Sequence, residues 1–247
     1  MPREWDATTY DALPQPHKGW SRYTLRHLTL DGGETVLDAG AGTGRDIGPL
    51  LDRLPSGRVV AVDGSTTMLD KLRANLNGRL DRVDVVHADL TEPLPIDRPV
   101  DAVFSVATFH WIHDHGTLFA NIAQVLRPGG QFVAECGGQG CVARVRRAVE
   151  EVLGRPADAA HFAGVEETVE RLTRTGFTDI EVSLRDDPAR LEPGDQLRNY
   201  LSTMVLGPYL DRLPETEHRR FVAEVAARLP EPVIDYVRLN IKARRAA

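Results

Sequence analysis

The chain lacks most of the features that mark secreted, membrane-spanning or nucleic-acid-binding proteins. It has only two cysteines, Cys136 and Cys141, in one glycine-rich segment, which excludes a disulfide framework and offers no second pair for a zinc site. No stretch is long and apolar enough to span a membrane, and the first twenty residues contain no apolar signal sequence. The formal net charge of −6 argues against a nucleic-acid substrate, which normally requires a basic face. We therefore expect a cytoplasmic protein in a reduced compartment, without a nucleic-acid or membrane partner.

The 247 residues, 42% of them hydrophobic, are enough to bury the core of one α/β domain. Short β-prone runs alternate with helical patterns as far as residue 153, which predicts a parallel, doubly wound sheet. The predicted strands are residues 35–39, 58–62, 83–87, 100–105, 131–136, 180–184 and 234–243. The predicted helices are residues 19–30, 44–54, 65–76, 115–127, 142–153 and 163–175. Helically spaced leucines between the last two strands predict an inserted helical cap.

The most informative segment is TVLDAGAGTG at residues 35–44, followed by VVAVD at residues 59–63. A buried strand there runs into three alternating glycines, where the backbone must approach a ligand closely. Asp63 ends the next strand, nineteen residues after the last glycine. A carboxylate at that position can accept hydrogen bonds from both hydroxyls of a ribose. This spacing predicts a nucleoside-binding βαβ unit.

The spacing of the glycines distinguishes two kinds of ligand. Nicotinamide and flavin sites use G-x-G-x-x-G beside a pyrophosphate, whereas this loop reads G-x-G-x-G and has Arg45 where the last glycine would stand. Asp38, two residues before the first glycine, adds negative charge that would repel a pyrophosphate and suits a cation. S-adenosylmethionine carries a sulfonium and an ammonium group and no phosphate, so the loop favours this cofactor.

Five segments, in the expected order, resemble the motifs of the class I S-adenosylmethionine-dependent methyltransferases. They are residues 36–44, VVAVDGSTTM at 59–68, HADL at 87–90, DAVFS at 101–105 and VLRPGG at 125–130, the last resembling the turn before the fifth strand. Residues 201–229 resemble the C-terminal part of the trans-aconitate methyltransferase-like group, also called methyltransferase type 11. The resemblance implies a Rossmann-like, seven-stranded, mostly parallel sheet with the cap between its last two strands.

The resemblance also implies which residues bind the cofactor. Asp63 would hold the ribose, Met68 would lie against the adenine, and Asp89 would meet the adenine amino group. The implied cofactor-binding residues are Tyr10, Asp38, Ala39, Gly40, Gly42, Gly44, Asp63, Gly64, Met68, Ala88, Asp89, Leu90, Ser105, Val106 and Trp111. Taken singly, such residues have ordinary structural interpretations, since Asp63 could cap a helix and Met68 could belong to the core.

We expect one methyltransferase domain over residues 1–247. Within it, residues 1–30 would form an N-terminal lid and first helix, 31–184 the cofactor-binding core, 185–232 the cap over the acceptor site, and 233–247 the final strand and tail. The segment WDATTYD at residues 5–11 resembles the family's mobile lid, in which Tyr10 would fold over the methionine end of the cofactor. The alternative is a frayed terminus with incidental aromatic residues.

The loop FHWIHDH at residues 109–115 follows the fourth strand, at the edge of the sheet where doubly wound folds bind ligands. His110, followed by Trp111 as in the family's frequent HW pair, is the first candidate for a general base, and the alternative is that it only lines the pocket. Glu135, at the end of the fifth strand, is the second candidate. His113 and His115 are too few to indicate a metal, and we assign none.

Together these features predict an enzyme that transfers a methyl group to a small-molecule acceptor by in-line displacement and releases S-adenosylhomocysteine. A carboxylate or hydroxyl oxygen is the expected acceptor atom, and a carboxylate needs no base because it is ionised at neutral pH. Two alternatives stay open: methylation of carbon in a metabolite such as a prenyl or polyketide unit, and a cofactor-binding protein of the same fold that does not methylate. We expect a monomer or a homodimer.

Overall fold

The computed structural model describes residues 4–7 and 17–247, and all statements about structure concern that part of the chain. Its strands are β1 Thr35–Ala39, β2 Arg58–Asp63, β3 Val83–His87, β4 Val100–Val106, β5 Leu126–Gly137, β6 Phe177–Asp186, β7 Ala189–Arg190, β8 Val233–Ile234 and β9 Val237–Arg245. Its α-helices are α1 His17–Leu25, α2 Ile47–Asp52, α3 Thr66–Asn75, α4 His115–Val125, α5 Ala143–Leu153, α6 Val165–Arg174, α7 Asp195–Tyr200, α8 Gly207–Leu210 and α9 Glu215–Arg228. Short 3-10 turns cover Leu80–Arg82 and Phe109–Trp111, and a π-helical turn covers Leu201–Val205.

The main sheet has seven strands in the order β3-β2-β1-β4-β5-β9-β6, and a separate ribbon pairs β7 with β8. β1 to β5 run parallel to one another, whereas β9 is antiparallel to both β5 and β6. The helical cap, α7 to α9, enters the chain between β6 and β9. The predicted seven-stranded, mostly parallel sheet with a cap between its last two strands is therefore confirmed.

The middle of the sheet is buried on both faces. In β1, Val36 belongs to the core on one face and Leu37 to the core on the other, and neither is exposed to solvent. Helices α1, α2, α3, α5 and the cap cover the first face, and α4 and α6 cover the second. Such two-sided burial is expected of a parallel sheet, and it leaves only the ends of the strands open to a ligand.

All six predicted helices are shorter in the structure, and two of them differ most from their predicted bounds. The helix expected over residues 19–30 ends at Leu25, where Arg53 donates hydrogen bonds from Nη1 to the Leu25 carbonyl at 2.5 Å and from Nη2 to the Leu28 carbonyl at 2.8 Å. These bonds satisfy carbonyls at the helix end and in the turn after it. The helix expected over residues 44–54 begins only at Ile47, because the preceding residues form the glycine loop.

Three strand predictions also need correction. The segment at residues 125–130, which was expected to be a turn, lies mostly within β5. Leu126 pairs with Val100 and Gln131 pairs with Ala102, so the residues between Leu126 and Gln131 form a bulge. The last strand, expected at residues 234–243, begins at Val237, because the chain bends where the Tyr236 N–H bonds the Ile234 carbonyl at 3.0 Å. β6 extends beyond the predicted residues 180–184 because β9 pairs with it from end to end.

Gly44 allows α3 to approach the glycine loop closely. Its φ is +80°, and a Cβ atom added there would lie 2.7 Å from Cγ of Leu72, which is fully buried in α3. Any side chain at this position would therefore meet both backbone strain and a steric clash.

We expect Gly44→Ala to destabilise the fold by more than the roughly 1–2 kcal/mol of left-handed strain alone. Gly78→Ala is the matched control, since Gly78 has a φ of +82° but no atom within 4 Å of an added Cβ. Urea unfolding of both variants measures the difference. Equal losses of unfolding free energy would show that Leu72 yields without cost.

Candidate active site

A cavity of about 420 Å³ lies at the carboxyl ends of β1, β2, β3 and β4, where open α/β sheets bind their ligands. The loops that follow these strands supply most of its wall. The lining residues are Trp5, Gly40, Gly42, Asp63, Gly64, Ser65, Met68, Ala88, Asp89, Leu90, Thr91, Val106, Ala107, Thr108, Trp111, Ile112, His113, Ala159 and Pro208. The volume suits a ligand of nucleoside size.

Asp63 joins two of these loops through its carboxylate. Oδ2 accepts a hydrogen bond from the Gly42 N–H at 2.8 Å, and Oδ1 accepts one from the Ser65 N–H at 2.8 Å. Ser65 is the N-cap of α3 and accepts a bond from the Met68 N–H. Burial raises the pKa of Asp63, and the backbone N–H bonds oppose that shift. The same side chain thus shapes the glycine loop and presents a carboxylate at the cavity wall.

The opposite part of the wall is mainly apolar. Met68, Ala88 and Leu90 face the cavity, and Asp89 stands between the last two with Oδ1 accepting bonds from the N–H and hydroxyl of Thr91 at 2.9 and 2.7 Å. An apolar slot with a carboxylate at its side is well suited to a flat heterocycle that carries an amino group.

Residues 4–7 close one side of the cavity. The Trp5 ring meets Trp111 edge to face, with 5.4 Å between the ring centroids, and the Trp5 carbonyl accepts a bond from the Thr67 hydroxyl. Glu4 accepts bonds from the N–H groups of Thr66 and Thr67 at the first turn of α3, and hydrogen bonding in this turn lowers the pKa of Glu4. The segment is therefore attached to the cofactor-binding core at the N-terminus of a helix, where a carboxylate is favoured. Tyr10 lies outside the described residues.

Comparisons with known proteins agree with this geometry. The model of a methyltransferase domain matches residues 36–130. The malonyl-[acyl-carrier protein] O-methyltransferase of Geobacter sulfurreducens is 34% identical over 189 residues, which cover 73% of this chain and 70% of that enzyme. This chain belongs to the class I S-adenosylmethionine-dependent methyltransferases.

Two further comparisons show how far the similarity extends. The trans-aconitate 2-methyltransferase of Azoarcus sp. is 36% identical over 126 residues, 51% of this chain and 48% of that enzyme, so the chain spans about half the length of that relative. The solved structure of phosphoethanolamine N-methyltransferase 2 from Haemonchus contortus with S-adenosyl-L-methionine has a TM-score of 0.62 at 21% identity and covers 93% of this chain and 53% of that one. The structural similarity confirms the fold of the methyltransferase.

The cavity fits S-adenosylmethionine, the cofactor of the family. A Cβ added to Gly42 would meet no protein atom within 4 Å, so this part of the loop borders open space. Asp63 offers its carboxylate for ribose hydroxyls, and the Asp38 Oδ2 atom is buried without a hydrogen-bond partner among the described residues. An unpaired carboxylate oxygen two residues before the first glycine of the loop favours a cationic group nearby, although Asp38 itself does not line the cavity.

Four residues that the resemblance assigned to the cofactor do not line the cavity: Asp38, Ala39, Gly44 and Ser105. Ser105 is buried and donates its hydroxyl to the Ala39 carbonyl at 2.6 Å, so both residues hold β4 against β1. Burial and the carboxylates of Asp46 and Asp63 raise the pKa of Asp38 well above its ordinary range. The structure brings the other described residues of the predicted set to the wall.

A second, inner cavity of about 40 Å³ shares Trp111 and Ala159 with the first. It lies between α5 and the cap, and its lining residues are His110, Trp111, Cys141, Val142, Val145, Arg146, Val149, Ala159, Ala160, Phe162, Met204, Val205, Tyr209, Tyr236 and Arg238. The two cavities therefore adjoin at Trp111 and Ala159. Residues of the cap reach both cavities, since Pro208 lines the first and Met204 the second.

His110 lines the inner cavity and is largely buried. Its Nδ1 atom accepts a hydrogen bond from the Gly137 N–H at 3.3 Å, and its ring stacks on Phe162 with 5.9 Å between centroids. Because Nδ1 accepts this bond, a neutral imidazole carries its proton on Nε2. His110 thus lines the inner cavity with its Nδ1 lone pair already engaged.

Glu135 lines neither cavity. Its side chain is fully buried in an ion pair with Arg238 and also accepts a bond from the Thr24 hydroxyl at 3.4 Å. Burial raises the pKa of Glu135, although Arg238 opposes this shift. The structure thus places Glu135 behind the cavity wall as the partner of an arginine.

Sequence reasoning missed several lining residues: Trp5, Ser65, Thr91, Ala107, Thr108, Ile112, His113, Ala159 and Pro208. Ser65 and Thr91 stand two positions after Asp63 and Asp89 and could have been found as their hydrogen-bond donors. Ala159 and Pro208 are distant in sequence and give no local signal. In the described part of the chain, no group of three His, Cys, Asp or Glu side chains could hold a metal ion, and no helix is long and apolar enough to cross a membrane.

We expect Asp63→Asn to weaken binding of S-adenosylmethionine by on the order of 1–3 kcal/mol, because one acceptor of charge-assisted hydrogen bonds is lost. Isothermal titration calorimetry measures the affinity. Ser105→Ala is the control: it removes a buried hydrogen bond outside the cavity and should cost about 1 kcal/mol of stability without changing the affinity. Unchanged affinity of Asp63→Asn would contradict the ribose assignment.

Proposed function

We propose that this methyltransferase transfers a methyl group from S-adenosylmethionine to a carboxylate oxygen of a small molecule and forms a methyl ester. The observation that carries the proposal is that both candidate bases are already engaged. His110 has its Nδ1 lone pair directed at the Gly137 N–H, and Glu135 is buried in its ion pair. A carboxylate acceptor needs neither of them, because it is already ionised at neutral pH.

A hydroxyl or carbon acid would require a group that takes its proton. To act as a base, His110 would have to give up its bond from Gly137, either to free Nδ1 or to move the imidazole proton from Nε2 to Nδ1. Glu135 would have to leave Arg238, which would strand a buried charge and cost several kcal/mol. The described walls of the two cavities thus favour an acceptor that has no proton to lose.

The residues of the two cavities have separate tasks in this proposal. When bound, the cofactor supplies a methyl group on a sulfonium, whose transfer to a carboxylate oxygen breaks the carbon–sulfur bond, leaves the electron pair on sulfur and releases no proton. Trp111 lines both cavities, and Trp5 and Pro208 line the first one. We expect these groups to exclude water, which helps to align the acceptor and prevents loss of the methyl group to solvent.

The names of the relatives support the same chemistry. The Geobacter enzyme is a malonyl-[acyl-carrier protein] O-methyltransferase and the Azoarcus enzyme a trans-aconitate methyltransferase, and malonyl and aconitate are both groups of carboxylic acids. For this chain, a carboxylic acid acceptor follows as part of the proposal.

The direct test uses methyl-labelled S-adenosylmethionine with a panel of carboxylic acids, phenols, alcohols and prenyl-type alkenes. We expect extractable label with acids only, and we expect mild base to release it as methanol, since an ester is hydrolysed and an ether or carbon product is not. Label that resists base would replace the proposal with ether formation or methylation of carbon. Cofactor binding without any label across the acids would favour a protein that does not methylate carboxylates.

The role of His110 has its own test. We expect His110→Gln to retain turnover of a carboxylic acid within about tenfold, because the glutamine amide can donate from a position similar to Nε2. Loss of a general base would instead reduce kcat by about 10²–10⁴. The pH dependence of kcat discriminates further: without an imidazole base, the rate should not fall between about pH 7 and pH 6. A fall there that disappears in His110→Gln would identify His110 as the base.

A further inference from the structure

Strand β6 forms one open edge of the main sheet. It is the last strand in the sheet order, and in the part of the chain that the structure describes it pairs with β9 on its inner side only. It is ten residues long, whereas β3 at the opposite edge has five. A long unpaired edge is a template for another strand, and proteins usually protect it with lysine or proline. β6 contains neither of these residues.

The hydrogen bonds to β9 show which residues of β6 direct their backbone groups outward. The Asp187 N–H donates to the Tyr236 carbonyl at 2.9 Å, one step beyond the pair formed by Asp186 and Val237. Bonded and non-bonded pairs alternate along an antiparallel ladder, so the odd-numbered residues of the regular part of β6 bond β9. The even-numbered residues therefore present their N–H and C=O groups to the open edge. They are Ile180, Val182, Leu184 and Asp186.

Three of these four outward-directed residues are apolar. Ile180 and Val182 pack only partly against the core of the second face. Leu184 is 38% exposed, one of two large apolar side chains that are exposed among the described residues. A single exposed leucine is ordinary, but three apolar residues at alternate positions of an unpaired strand fit a strand with the same pattern.

The sequence of β6 is complementary to itself in one antiparallel register. A two-fold axis through Val182 places Val182 opposite Val182 of a second copy, and Ile180 opposite Leu184 of that copy. These residues are outward-directed on both strands, as the bonded pairs of an antiparallel ladder must be. Each bonded pair exchanges two hydrogen bonds, so the three pairs would form about six. Within this ladder, apolar side chains meet only apolar side chains.

The charges of β6 agree with this register. Glu181 lies opposite Ser183 of the second copy, and Asp179 is brought toward Arg185 of the second copy, so opposite charges approach and like charges do not face each other. Asp179 has a φ of +49° in the bulge that interrupts β6, which confines the regular ladder to residues 180–184. An axis through Glu181 would instead place two carboxylates face to face.

Other nearby registers leave an apolar residue opposite a charge. An axis through Ser183 would place Ile180 opposite Asp186, and an axis through Leu184 would place Val182 opposite Asp186. We propose that β6 pairs with β6 of a second copy of this chain about a two-fold axis through Val182. The result is a homodimer in which one sheet continues across both copies.

This arrangement has two consequences for the enzyme. Because the two β6 strands are antiparallel, the parallel strands of the two copies point in opposite directions, and their cofactor cavities open at opposite edges of the joined sheet. Each cavity is therefore complete without the second copy. A contact of one short ladder is small, so we expect a reversible dimer with a dissociation constant on the order of micromolar to tens of micromolar.

Sedimentation velocity between about 1 and about 300 μM covers the expected range of dissociation constants. We expect the wild-type chain to pass from monomer to dimer over this range. Leu184→Lys should weaken the dimer by about tenfold or more, because it removes an apolar contact at two symmetric positions and adds charge to the edge. Leu80→Lys is the matched control, since Leu80 is 36% exposed and lies outside β6. Calorimetry should give the same affinity for S-adenosylmethionine in both variants.

Substitutions at Ser183 test the register. Ser183→Lys would place a cation opposite Glu181 of the second copy and should strengthen the dimer by about threefold, whereas Ser183→Glu should weaken it by a similar factor. If the axis passed through Ser183, both variants would set like charges against each other and both would weaken the dimer.

A cross-link gives an independent measure of the same register. Bonded pairs have Cα atoms about 5.5 Å apart, within the range of a disulfide, so Val182→Cys should form a covalent dimer with oxidised glutathione. Cys136 and Cys141 are buried, and the wild-type chain should stay uncross-linked.

The contrary results are equally specific. A wild-type chain that stays monomeric at about 300 μM, or a Leu80→Lys variant that weakens the dimer as much as Leu184→Lys, would overturn the pairing of β6. A dimer that is weakened by Ser183→Lys and is not cross-linked through Val182→Cys would overturn the proposed register. None of these measurements depends on the identity of the acceptor, so they leave the proposed function untouched.

Discussion

The buried ion pair between Glu135 and Arg238 is the constraint on which the wall of the inner cavity depends. It joins β5 to β9 at the point where the antiparallel strand enters a parallel sheet, and Trp20 of α1 covers the guanidinium. Removing one partner of a buried pair typically costs 3–5 kcal/mol, yet replacing both by apolar residues is often neutral. Stability alone therefore does not explain why this buried pair is charged. The position of Arg238 in the wall of the inner cavity offers an explanation.

The cofactor side depends on a different kind of contact. Parallel strands expose their carboxyl ends at one edge, and at that edge Asp63 binds both the glycine loop and the start of α3. Because this carboxylate is held by backbone N–H groups, its position follows from the fold and not from a flexible side chain. The cofactor cavity is thus built almost entirely from local chain geometry, whereas the inner cavity is built from distant segments, α5, the cap and β9.

This difference explains what the sequence could predict. The parallel sheet, the cofactor and the positions of Asp63 and Asp89 near the ends of strands follow from short motifs whose spacing is fixed by the βαβ unit, so they could be predicted without a structure. The pairing of Glu135 with Arg238 could not be predicted in this way. The two residues are 103 positions apart, and their contact depends on the antiparallel register of β5 and β9. Ser105 illustrates a limit of such motifs. It occupies a motif position in β4, but its buried hydroxyl donates a hydrogen bond to the Ala39 carbonyl of the neighbouring strand. A buried hydroxyl needs a hydrogen-bond partner, and here the fold supplies it.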